Sequence, residues 1–246
     1  MASSCGAWTR RSISGDFRRR VQVRRTCPRD FFRSLLVAAT ATFLLFPGRL
    51  RGEDRFRAEI FGGTSWSVPS TLKIDQSGEE RLSFRAHWET RPFHEAPYYA
   101  ARVALWSGRH GWELQLLHHK IYLENPPPEI DRFQIAHGWN LLSIQRASRT
   151  RILDWRVGAG VVIAHPEGRI RGRDVDTDGG IFDRGYHLSG AGVLAGAGKS
   201  FPISRRFFAN VEAQATYSWA RVPIHTGHAR TSNVAFHALF GFGFGI

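Results

Sequence analysis

The last fourteen residues of the chain, Asn233 to Ile246, constrain its fold more than any other stretch. Apolar side chains, mostly phenylalanine, occupy the even positions from Phe236 onward, whereas glycine, histidine and leucine occupy the odd positions. A period of two is typical of a β-strand, and one crossing of a bilayer takes about 9–11 strand residues. The stretch therefore predicts a membrane-crossing strand with one apolar face and one small or polar face.

The same alternation recurs through most of the chain. It predicts further strands at 55–66, 81–90, 98–106, 111–122, 133–146, 152–164, 186–198 and 207–220. A membrane barrel requires apolar side chains towards lipid and polar ones towards the lumen, whereas a soluble sandwich would hide the apolar face. The Phe-Gly-Phe-Gly-Phe-Gly-Ile ending resembles the last strand of bacterial outer-membrane barrels, so we predict the membrane alternative.

An all-β, antiparallel, up-and-down transmembrane barrel needs an even number of strands, but nine segments show the pattern. Either Val68 to Asp75 adds a short strand, which gives ten, or 81–90 belongs to an extracellular loop, which gives eight. We expect eight to ten strands and favour ten. Short connections are expected in the periplasm and longer ones outside, the longer ones at 91–97, 123–132, 165–185 and 221–232.

Residues 1–52 differ in composition from the rest of the chain. The formal net charge is +13, but this segment alone has 11 arginines against two aspartates, leaving 23 basic and 19 acidic side chains elsewhere. Leu35 to Phe46 is an apolar run behind several arginines, as in a secretory signal peptide. Both cysteines, Cys5 and Cys27, also lie here, so the body has no disulfide and no thiolate metal site.

These features divide the chain into an N-terminal leader with a signal peptide, 1–52, and an outer-membrane β-barrel, 53–246. We expect localisation in the outer membrane, insertion by the barrel assembly machinery and a monomeric state. The lipid and lipopolysaccharide of that membrane are the expected partners. Nucleic acid is not expected, because the excess positive charge belongs to the leader.

Polar side chains from five consecutive strands are expected to meet at the extracellular rim once the carboxyl terminus is placed in the periplasm. We predict His118, His165 and Glu167 as catalytic, through acid–base work or as ligands of an unspecified divalent metal. The predicted substrate-binding residues are Arg91, Tyr99, Arg102, Lys120, Tyr122, His137 and Asn140. The cations among them would meet lipopolysaccharide phosphates. The alternative is that these polar residues only mark where the membrane stops.

Five stretches resemble the outer-membrane lipid A oxidase family of Gram-negative bacteria and its unassigned relatives. They are Trp88–Phe93, Pro97–Arg102, His118–Tyr122, His137–Leu142 and Gly158–Glu167. The resemblance implies a barrel that oxidises the proximal glucosamine of lipid A with molecular oxygen, and it brings no catalytic residues with it. Two hypotheses follow: a lipid A-modifying enzyme, or a non-catalytic structural or adhesive barrel.

Overall fold

A computed structural model describes residues 54–175, 179–181 and 184–246. The predicted leader, 1–52, lies outside the described residues. The strands are β1 (Asp54–Ser67), β2 (Ser70–Gln76), β3 (Leu82–Ala86), β4 (Trp88–Glu89), β5 (Tyr99–Ser107), β6 (His110–Leu123), β7 (Ile130–Arg149), β8 (Asp154–Ala164), β9 (Glu167–Ile170), β10 (Arg173–Asp174), β11 (His187–Pro202), β12 (Phe207–Ile224) and β13 (Gly227–Gly245). No helix with the length and apolar character of a membrane span occurs among the described residues.

Eight of these strands pair in a closed antiparallel ring. The order around the ring is β1, β5, β6, β7, β8, β11, β12 and β13, and β13 pairs again with β1. The first and last strands therefore lie side by side, with Arg57 opposite Gly245. We call the end that holds Asp54 and Ile246 the terminal end and the opposite end the rim. The ring confirms the predicted up-and-down barrel.

The strand number is eight, which corrects our preference for ten. The two extra segments do not cross the membrane: β2 and β3 form a hairpin at the rim, and β2 pairs with the rim end of β13. They cannot enter the ring because β5 already occupies the free edge of β1. The long connection expected at 221–232 is also wrong, since β12 and β13 continue in register to a two-residue turn at His225 and Thr226.

The outer wall of the ring carries an apolar belt. Phe236, Phe240 and Phe242 are 50%, 61% and 65% exposed, as expected of side chains directed at lipid rather than packed in a core. On β12 the outward side chains from Phe207 to Trp219 cover about 40 Å along the strand and, because the strand is tilted, about 30 Å along the barrel axis, which is enough to cross a hydrocarbon core. Trp106 and Trp139 are buried inside the ring, because their positions have inward parity.

Beyond the belt, at the rim, the polarity of the two faces is reversed. Inward positions that are polar along the membrane become apolar there, as on β12, where Ser218 is followed by Val222 and Ile224. These side chains form a buried cluster, the rim core, which includes Leu72, Ile74, Trp88, Ile121, Ile130, Phe133, Ile135, Ile170, Val222 and Ile224. Each such burial contributes about 1.5–3 kcal/mol, as in a soluble protein. The β2–β3 hairpin is therefore held against the ring by a packed core.

Candidate functional site

An irregularity in β7 brings His137 to the outer wall of the rim. Pairing between β6 and β7 is regular up to His119 opposite Trp139 and resumes at Ile121 opposite Ile135, so Ala136, His137 and Gly138 face one residue of β6. Gly138 has a φ of 129°, and a Cβ there would lie 2.1 Å from the Asn140 amide nitrogen. The bulge thus depends on glycine at this position. It leaves 46% of the His137 side chain exposed.

β8 ends at the level of the β7 bulge, and the chain then turns and runs beside the rim end of β7. His165 follows Ala164, the last residue of β8, and continues the outward parity of Val161 and Ile163. The next short strand, β9, then pairs with the rim end of β7, which puts Glu167 directly opposite Gln134. Side chains of directly opposed residues share one face of a sheet. Glu167 is therefore brought onto the same face as Gln134.

His137, His165 and Glu167 form a compact group, which we call the rim triad. One potential ligand atom from each side chain lies within 4.8 Å of the other two. His137 Nδ1 is hydrogen-bonded to Glu167 Oε1, and His165 Nε2 lies 3.6 Å from the same oxygen. The other carboxylate oxygen accepts a 3.0 Å hydrogen bond from Gln134 Nε2. Two imidazoles and one carboxylate so arranged can exchange protons or hold a divalent metal.

The electrostatics of the triad favour an ionised carboxylate. Burial acts to raise the pKa of Glu167, but the hydrogen bond and positive charge of His137 outweigh it, so the net pKa lies below its ordinary value. Tyr186 packs beside the triad, with its ring centroid 5.0 Å from that of His165. Burial raises the pKa of the Tyr186 phenol. The site thus offers a carboxylate acceptor and a neutral phenol at neutral pH.

Lys120, predicted to bind substrate, is buried and bonded to the backbone of a rim segment. Its side chain is completely buried, and Nζ donates to the backbone oxygens of Arg91 (3.0 Å), Ala96 (2.6 Å) and His94. These bonds tie the segment 91–97 against the outer wall of β6. Because the ammonium group already has three acceptors, it is not available to a phosphate.

Tyr122 and Arg91 lie together on the outer wall next to that segment. The Tyr122 hydroxyl donates to Glu95 Oε2 at 3.5 Å, and the same carboxylate approaches Gln134 Nε2 at 3.4 Å. The guanidinium of Arg91 lies 5.0 Å from the centre of the Tyr122 ring and pairs with Glu89 at 2.6 Å. Because 47% of its side chain is exposed and only Nε is bonded to Glu89, the other guanidinium nitrogens of Arg91 can reach a ligand at the rim.

His118, Tyr99 and Asn140 form a second group on the same outer wall, nearer the belt. His118 Nδ1 is hydrogen-bonded to Asn140 Oδ1 at 2.7 Å, and the imidazole stacks on Tyr99 with ring centroids 4.9 Å apart. The His118 side chain is buried, and it is not one of the three residues of the rim triad. Its predicted catalytic role, like the substrate-binding roles of the other two, stays a prediction.

Arg102 was expected at the rim but lies inside the barrel, so its predicted location is corrected. Its guanidinium donates to Glu59 at 2.9 Å, to Glu212 at 2.6 Å and to Gln115 at 2.6 Å. Arg156 joins the same network through Glu212 and Glu113. Arg102 has the inward parity of β5, and paired charges fill the lumen of a narrow barrel. Arg156 and Glu212 thus belong to an ion-pair network in the barrel interior.

Sequence reasoning missed two polar groups. Gln134 donates a hydrogen bond to Glu167, and the two residues meet only because β9 pairs with β7. Inside the lumen, the two ring nitrogens of His237 are hydrogen-bonded to the Tyr98 hydroxyl at 2.6 Å and to the Thr216 hydroxyl at 2.9 Å. The signal for His237 was present, because it interrupts the small-residue face of the terminal strand.

The closed ring, apolar outside and polar within, defines the chain as an outer-membrane β-barrel protein. No protein-family model matches it, and no curated protein does. Among solved structures, it is similar to OprG from Pseudomonas aeruginosa, with 12% identity and a TM-score of 0.39 over 81% of this chain and 98% of OprG.

Two further solved structures are similar. Ail, the attachment invasion locus protein of Yersinia pestis, is 10% identical with a TM-score of 0.37, over 80% of this chain and 100% of Ail. The outer membrane protein AlkL is 9% identical with a TM-score of 0.42, over 82% of this chain and 95% of AlkL. The membrane assignment rests on the ring and its belt rather than on these similarities.

Proposed function

We propose that this outer-membrane barrel binds lipid A laterally at the rim triad and oxidises its sugar headgroup. The observation that carries the proposal is the position of the triad. His165 directly continues the lipid-facing series of Val161 and Ile163 on β8, so the triad adjoins the upper edge of the belt. A lipid whose acyl chains pack against that belt would present its headgroup at this height.

The chemistry of the outer wall supports a sugar phosphate as the ligand. Imidazole and carboxylate groups can accept and donate hydrogen bonds to hydroxyls, and Arg91 offers an exposed guanidinium for phosphate. A pore function has less support, because the lumen is filled by paired charges and the rim core closes the inward side. The resemblance to lipid A oxidases supplies the reaction class, an oxidation by molecular oxygen.

The assembly expected from the sequence forms part of the proposal. All eight barrel strands are paired within the chain, so the ring offers no free strand edge and a monomer satisfies its backbone. Insertion by the barrel assembly machinery and contact with lipopolysaccharide follow from the membrane in which such a ring folds.

Mass spectrometry of lipid A tests the proposed reaction. Cells that carry the gene should contain an oxidised lipid A species that is missing from cells without it, and Glu167→Gln should abolish that species. Glu124→Gln is the matched control, because Glu124 is an exposed carboxylate at the same end of the barrel. An identical lipid A profile with and without the gene would leave the non-catalytic structural or adhesive barrel.

A further inference from the structure

We infer that His137, His165 and Glu167 bind one divalent transition-metal ion on the outer wall of the rim. Metal–nitrogen and metal–oxygen bonds of about 2.0–2.2 Å place neighbouring ligand atoms roughly 3.0–3.5 Å apart around one ion. In the rim triad, His165 Nε2 and Glu167 Oε1 are 3.6 Å apart, and all three ligand atoms lie within 4.8 Å of one another.

The backbone holds the three ligands without help from a metal. His137 sits in the bulge that Gly138 permits, and Glu167 is fixed by the pairing of β9 with β7. The His165 amide donates to the Gly138 backbone oxygen at 3.3 Å, which joins the two ligand-bearing segments directly. Ligands placed by strand backbone are preorganised more accurately than ligands on free loops.

A supporting residue orients the carboxylate. Gln134 Nε2 donates to Glu167 Oε2 at 3.0 Å, which leaves Oε1 directed at the two imidazoles. Hydrogen bonds of this kind fix the orientation of a ligand, and their loss typically costs 10–100-fold in metal affinity. Gln134 therefore acts as a positioning residue for the site.

The ligand types select the class of ion. Calcium and magnesium take oxygen ligands almost exclusively, whereas two imidazoles with one carboxylate suit iron(II), cobalt(II) or zinc. Three protein ligands leave coordination positions open, as in non-haem iron oxygenases and catalytic zinc sites. Resting on the proposed function, we assign them to an oxygen atom of the lipid headgroup.

Cobalt(II) titration of the folded, untagged full-length protein in detergent tests the site. After chelator treatment, wild type should bind one Co²⁺ per chain, measured by elemental analysis and by the visible d–d absorption of the ion. Glu167→Gln and His165→Ala should each lower the affinity more than the 10–100-fold typical of a supporting residue, and Gln134→Leu by about tenfold. His225→Ala, an exposed histidine in the rim turn, should bind like wild type.

Heat-modifiable gel mobility of each variant confirms that the barrel is folded before its affinity is compared. Wild type that binds no Co²⁺ above the detergent blank, or triad variants that bind as well as His225→Ala, would overturn the inference. Metal binding that depends on the triad, together with unchanged lipid A, overturns the proposed reaction and keeps the site. Lipid A oxidation that persists after chelation and in the triad variants overturns the assignment of the reaction to the triad, whereas the Co²⁺ titration alone decides the metal site.

Discussion

Replacing Arg102 by methionine should cost far more stability than replacing an arginine at the rim. Arg102 is 2% exposed and is the shared partner of Glu59, Glu113 and Glu212. Removing one member of a buried ion pair leaves uncompensated charge and typically costs about 3–5 kcal/mol. The equilibrium constant for unfolding should therefore rise by roughly 100- to 4,000-fold, at about 1.4 kcal/mol per factor of ten.

Reversible urea unfolding in detergent or lipid vesicles, followed by tryptophan fluorescence, measures this difference. Arg91→Met is the matched control, because Arg91 is half-exposed and its loss should change stability by about 0.5 kcal/mol or less. Adding Glu59→Gln to the Arg102 variant should recover part of the loss, since the two side chains pair directly. Equal stability of the Arg102 and Arg91 variants would refute an interior position for Arg102.

Three further predictions test the belt, the bulge and the rim hairpin. Phe240→Arg should destabilise the barrel by about 2–4 kcal/mol in vesicle unfolding, whereas Phe93→Arg, on the rim segment and 92% exposed, should have little effect. Gly138→Ala should cost about 1–3 kcal/mol in urea unfolding and weaken Co²⁺ binding, because its φ is 129°; Gly62→Ala, with open space around its Cβ, should be neutral. The hydrogen bond from Arg81 lowers the pKa of Asp75 below its ordinary value. The Asp75–Arg81 pair therefore stabilises β2 fully when the pH is above the ordinary carboxyl pKa, and this stabilisation is lost as the pH falls through the lowered pKa. Amide hydrogen exchange in β2, corrected for intrinsic rates, should show this loss in wild type and no such step in Asp75→Asn.

Much of the fold followed from side-chain parity. Belt positions such as Phe240 and Val211 were assigned to lipid, and both are exposed on the outer wall. Parity failed where the environment changed along one strand. Val222 and Ile224 keep the inward parity of Ser218, but beyond the membrane the inward side is a packed apolar core. For the same reason, the apolar residues of β2 and β3 predicted membrane-crossing strands, and counting them gave a barrel of ten strands instead of eight.

The candidate site was predicted in part. Strand directions brought His137, His165 and Glu167 to one rim, and the structure brings these three together. Sequence reasoning did not distinguish them from Lys120, which shares their outward parity but is covered by the segment 91–97. Lys120 is covered because the long connection 91–97 folds back on β6, and the alternation of side chains within a strand does not predict the path of a connection.

The alternating sequence by itself determined two-faced β-strands, and the leader and the Phe-Gly ending selected a membrane barrel over a soluble sandwich. With the apolar face against lipid, pairing every backbone amide leaves a closed ring as the solution. The tertiary structure alone decided the strand number and the composition of the site. Both depend on pairing between segments that are distant in sequence. β5 pairs with the edge of β1 that would otherwise be free, and β9 pairs with β7 on the rim side of its bulge. Such pairings are fixed by competition among whole strands, which the period of any one strand does not reveal.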